Sequence, residues 1–143
     1  PLNSEETKSL FTLVIFFAIQ NFVEFLAYLT HPFHKPTAHF LVDIYMISGY
    51  FVFAAIPIFA LALSKNRAAK YSYLLYIAPL ILTGLHVSGL IVLGYKILSY
   101  SDVSYKSYVR IEGPLYSLFE YWVYFAGTLS FLLCKRSSLN FFR

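Results

Sequence analysis

Four stretches of this chain are each as long and apolar as a membrane crossing demands. A helix needs about 20 mostly apolar residues to cross roughly 30 Å of hydrocarbon. Residues 10–29, 38–63, 71–98 and 115–134 meet that requirement. Of the 143 residues, 59% are hydrophobic and 13% charged, against about 25% charged in an ordinary globular chain. All eleven Lys and Arg residues lie outside these stretches or at their edges. The second and third stretches are longer than a perpendicular crossing needs, which permits tilt.

These features predict an all-α integral membrane protein, an up-down bundle of four transmembrane helices. Short connections force neighbouring helices to run antiparallel. The chain reads as one membrane domain over residues 1–143, with no soluble domain. The stretches lack strict alternation and are too long for strands, which argues against a β-barrel. The first stretch is too long for a secretory leader, is preceded by Glu5 and Glu6, and has no A-x-A pattern after it. Residues 99–114 are expected to form a Ser/Tyr-rich outer loop, and Pro57 and Pro79 to kink their helices.

Basic residues flanking the stretches set the orientation. Lys8, Lys65, Arg67, Lys70, Lys135, Arg136 and Arg143 fall on one side, against Lys35, Lys96, Lys106 and Arg110 on the other. Both termini are therefore expected in the cytoplasm, with Tyr71, Tyr73, Tyr95, Tyr100 and Tyr116 in an interfacial aromatic belt. The formal net charge of +4 comes from few charges of either sign, with no basic patch of the kind that binds nucleic acid. A single cysteine, Cys134, excludes an internal disulfide and a cysteine-based zinc site.

Three of the seven acidic residues lie inside apolar stretches: Glu24, Asp43 and Glu120. His86 lies mid-stretch and His39 just inside another. Ionisable groups in hydrocarbon cost at least about 2.5 kcal/mol each on insertion scales, so they are expected to face the bundle interior. Counted from Thr30, Thr37 and Pro114 as the outer ends, each acid is six residues in, roughly 9 Å down at 1.5 Å per residue. Polar seams accompany them: Gln20, Asn21 and Glu24; His39, Asp43 and Tyr50; Thr83 and His86; Ser117, Glu120, Tyr124 and Gly127.

Such a set supports several functions. As a metal centre, Glu24, His39, Asp43, His86 and Glu120 would be the ligands, with His31 and His34 as reserves. Carboxylate plus imidazole suits Zn, Fe or Mn, although the Glu-x-x-His pairs of di-iron bundles are missing. A haem held within this chain alone is disfavoured, because His86 has no second His at matching depth. Alternatively, the acids hold a shared proton, or tie helices together. No Walker loop, GxSxG or HExxH is present. The leading expectation is a small integral-membrane subunit of a larger complex, of respiratory or oxidase type, surrounded by lipid and other membrane subunits. Its polar cluster would stabilise assembly or bind a metal. The alternatives are a stand-alone metal-dependent membrane enzyme acting on a lipid or small apolar substrate, and a proton-coupled small transporter.

Overall fold

A computed structural model of the chain describes residues 4–30, 34–65, 67–99 and 106–141. The chain forms α1 (Glu5–Thr30), α2 (Lys35–Leu63), a 3-10 helix (Arg67–Tyr76), α3 (Ile77–Val87), strands β1 (Val92–Ser99) and β2 (Lys106–Glu112), and α4 (Tyr116–Phe141). Three helices are long and apolar enough to cross a membrane: α1, α2 and the Tyr116–Lys135 part of α4. They coincide with three of the four expected stretches, and their apolar surfaces suit a lipid environment.

Local chemistry sets the helix ends. Ser4 Oγ accepts from the Thr7 amide at 3.1 Å, and Glu5 and Glu6 occupy the first turn of α1. That places acceptor and negative charge where a helix N-terminus favours them. His34 caps α2: its Nδ1 accepts from the Thr37 amide, and Pro36 sits in the first turn, where a missing amide proton costs nothing.

The expected third helix, residues 71–98, is not continuous. Residues before Ile77 wind as a 3-10 helix, and the α-helical part stops at Val87. The change of winding falls two residues before Pro79, which has no amide proton to donate backwards. The stop is a Schellman cap. Gly89 is left-handed at φ 72°, its amide donates to His86 O, and the Leu90 amide donates to Leu85 O, both at 2.9 Å. Glycine meets that backbone without steric cost. Beyond the cap the chain becomes extended and pairs antiparallel, from Val92 against Glu112 to Ser99 against Lys106, with an irregularity between Val92 and Gly94. The expected outer loop thus supplies a strand, β2.

Helix α2 is the centre of the fold. Of its most apolar window 61% is buried, against 6% for α1 and 17% for α4. Its residues Met46, Tyr50 and Ala54 join Leu82, Ile91, Val92, Tyr116 and Trp122 in one core. Ala60 and Leu61 meet Leu133 of α4 in another. Small residues let neighbouring helices approach closely. At Gly49 a Cβ would lie 3.0 Å from Gln20 Nε2, so glycine makes room for α1. Phe16, Phe51 and Tyr76 lock α1, α2 and the 3-10 helix with ring centroids 5.7–6.4 Å apart.

The polar seams resolve differently from one helix to the next. Asn21 is exposed and donates to Phe17 O, and Thr83 donates to Pro79 O. Both satisfy themselves on their own helix, as polar side chains in apolar helices do. On α4 the buried face is Tyr116, Trp122, Ala126, Ser130 and Leu133. The Ser117, Glu120, Tyr124 and Gly127 seam lies on the exposed face, which corrects the expectation that it points inward.

The hairpin returns to the helices through Gly113. Its amide donates to Ile91 O at 2.7 Å and the Leu115 amide to Leu90 O at 2.8 Å. A Cβ on Gly113 would run into the Leu90 carbonyl. Gly113→Ala is therefore expected to lower the unfolding temperature of the purified chain in detergent micelles. Gly84→Ala, on open surface within α3, is expected to raise it, by about 0.5–1 kcal/mol of helix preference. Equal effects of the two substitutions would contradict the close approach at Gly113.

Candidate functional site

The polar side chains converge where α3 ends and the hairpin begins. Asp43 projects from α2, one turn after His39. His86 sits in the last turn of α3, placed there by the cap at Gly89. Tyr95 comes from β1. His86 Nε2 lies 3.0 Å from Asp43 Oδ1, and the Tyr95 hydroxyl donates to the same oxygen at 2.8 Å. On the other side of the imidazole, Nδ1 is 2.8 Å from the Tyr50 hydroxyl. The indole of Trp122 on α4 donates to Tyr50 O at 3.3 Å.

This chain of bonds fixes the roles of the imidazole. An ionised carboxylate only accepts, so Nε2 carries the proton toward Asp43. In a neutral ring Nδ1 then accepts from the Tyr50 hydroxyl. In a doubly protonated ring Nδ1 donates to the Tyr50 oxygen. A rotation of the Tyr50 hydroxyl keeps this bond in either state, but in the second it turns the phenol proton away from its acceptor.

The network is dry at one end and open at the other. Tyr50 is 0% exposed and His86 5%, whereas the Asp43 side chain is 41% exposed. Asp43 faces a cavity of about 500 Å³ that His39, His86 and Tyr95 also line, with Phe40, Ile44, Ile47, Val92 and Leu93 among the apolar remainder. Such a volume suits a small ligand. Burial above all, then the bond to Asp43, pushes the Tyr95 phenol above the usual tyrosine range, so it stays a donor.

Of the five residues expected at one centre, the structure joins Asp43 to His86 and sets His39 on the same cavity, its ring 6.0 Å from that of Tyr95. Glu24 instead lines a different cavity, with Arg110, and Glu120 is exposed on α4. Among the described residues, no three His, Cys, Asp or Glu side chains come together as a metal site. The physical reasons are visible. Both His86 ring nitrogens are already bonded within the chain, and His34 spends its Nδ1 on the α2 cap. His31 lies outside the described residues.

Sequence reasoning missed Tyr95, which reads as a belt tyrosine, and the part played by Trp122. Tyr50 was legible as the next seam position after Asp43. Comparison with known protein families, with curated proteins and with solved structures returns no match, so the chemistry of the site carries the functional argument alone.

The bonding order predicts a graded response. Asp43→Ala leaves His86 Nε2 and the Tyr95 hydroxyl without their acceptor, a loss of about 1–3 kcal/mol. Asp43→Asn keeps a carbonyl oxygen for both donors and is expected to lower the unfolding temperature less. Tyr50→Phe and His86→Leu are expected to be non-additive, since each abolishes the same bond. Equal effects of alanine and asparagine at Asp43 would refute this bonding scheme.

Proposed function

We propose that the protein is a proton-coupled binding protein of the carrier class, embedded in a membrane with four crossings. The observation that carries this reading is the exposure of Asp43 onto a half-open cavity while its partner His86 is buried. A carboxylate serving only to tie helices gains nothing from an open face. An acid wired to an imidazole, and open to a ligand, can exchange a proton for a cationic or hydrogen-bonding solute. Coupled carboxylate and imidazole groups share their proton as a pair.

The fourth crossing in this reading is the 3-10 helix together with α3. Rises of about 2.0 and 1.5 Å per residue make the combined segment roughly 36 Å long, enough to cross roughly 30 Å of hydrocarbon. The hairpin then caps the outer end, and both termini lie on the basic, cytoplasmic side.

A second reading, a subunit of a larger membrane complex, is favoured by α4. Its seam of Ser117, Glu120, Tyr124 and Gly127 faces outward from an apolar helix, and polar groups so placed in lipid gain from a partner helix.

Trp122, the one tryptophan of the chain, sits beside the network, bonded to the backbone carbonyl of Tyr50. In the full chain in detergent, its emission is expected to show a single pH-dependent transition. His86→Gln should abolish that transition and Asp43→Asn displace it. Emission that titrates identically in all three proteins would remove the proton-coupled reading. Recovery of a stoichiometric membrane partner in mild detergent, lost in Glu120→Leu, would favour the subunit.

A further inference from the structure

A separate cavity of about 400 Å³ lies between α1, α2 and the hairpin, lined by Glu24, Tyr28, Tyr45, Tyr95 and Arg110 among apolar neighbours. Its two charges come from different walls, Glu24 from α1 and Arg110 from β2. Its tyrosines come from three elements, Tyr28 from α1, Tyr45 from α2 and Tyr95 from β1. Among the described residues neither charge belongs to an ion pair. The Arg110 guanidinium rests 4.9 Å from the Tyr116 ring centroid, and its Nη1 is 3.9 Å from Met46 Sδ. An aromatic face and a thioether occupy little of the capacity of five guanidinium donors.

We infer that this cavity binds a zwitterion of the phosphocholine class. A quaternary ammonium is recognised by aromatic rings, and the carboxylate of Glu24 adds an opposite charge beside them. A phosphate is recognised by the planar donors of a guanidinium, which Arg110 presents. A purely anionic headgroup would leave Glu24 facing like charge, and a purely cationic one would do the same to Arg110. The tyrosines favour a methylated ammonium, which is held by ring faces, over a primary one, which needs several hydrogen-bond acceptors. The same chemistry comes from a phospholipid of the surrounding leaflet or from a soluble phosphocholine ester. From the cavity toward the bilayer centre, α1 continues as apolar surface, with Phe22 62% and Phe17 57% exposed, where acyl chains can lie. The Asp43 cavity shares the Tyr95 wall, but Glu24 and Arg110 line this one alone, so substitutions at those two residues test this inference apart from the proton-coupled reading.

The test uses the full chain in dodecyl maltoside and native mass spectrometry. The probes are dihexanoyl phosphatidylcholine, dihexanoyl phosphatidylglycerol and phosphocholine without chains. The choline lipid is expected to bind about fivefold more tightly than the glycerol lipid, because only it answers both charges. Arg110→Gln should weaken the choline lipid about tenfold. Glu24→Gln should weaken it about fivefold while leaving the glycerol lipid unchanged or tighter. Arg110→Lys keeps the charge without the fork, and an intermediate loss there supports the site should Arg110→Gln fail to fold. Phosphocholine binding as tightly as the choline lipid identifies a soluble ester as the ligand. Phosphocholine binding far more weakly identifies a leaflet lipid. His86→Gln, in the other cavity, should leave all three affinities unchanged. Equal binding of the two lipids to the unaltered chain, or choline-lipid binding indifferent to both Glu24→Gln and Arg110→Gln, overturns the inference.

Discussion

Where water is scarce, a carboxylate must be answered by donors from its own chain, and Asp43 is the group on which this fold turns. His86 answers it from α3 and Tyr95 from β1, both on the same oxygen. Those two bonds hold the last turn of α3, which the Gly89 cap ends, and the hairpin against α2. Tyr50 extends the arrangement into the core, and Trp122 joins it to α4. One acid on the central helix thereby recruits side chains from α2, α3, α4 and β1. The hydrophobic effect does not supply such specificity within lipid, where an apolar side chain gains little by exchanging lipid for protein. Hydrogen bonds and close packing at Gly49 and Gly113 supply it instead.

The helices were legible because length and apolar content alone mark α1, α2 and α4. The break in the third stretch was written at Ser88–Gly89, but its apolar residues continue through Ile91, Val92 and Leu93. Hydropathy cannot distinguish a buried strand from more helix over so short a run. Only the left-handed glycine separates the two. Pairing Val92 with Glu112 depends on contacts across the chain that no local pattern records.

The candidate site was half legible. Asp43 and His86 stood out because charge is rare in apolar stretches, and their meeting follows from inward-facing ionisable groups. Glu24 and Glu120 stood out for the same reason yet go elsewhere. Depth along a helix can be counted from sequence, whereas rotation about its axis is set by packing. On α4, Trp122 and Ala126 claim the inner face and turn Glu120 outward. Tyr95 escaped because thirteen tyrosines, many near the ends of apolar stretches, make any single one unremarked until a strand brings it onto a carboxylate.

The order of synthesis gives the Asp43 bonds a temporal meaning. The donors that reach this carboxylate lie 43 and 52 residues further along the chain. A nascent polypeptide therefore delivers α1 and α2 to the membrane with the acid unanswered, and carries that exposed polarity until the hairpin has left the ribosome. Translation products truncated before His86 retain it, which marks them chemically as unfinished and sets them apart from the completed chain for any quality-control factor that surveys polar groups in lipid.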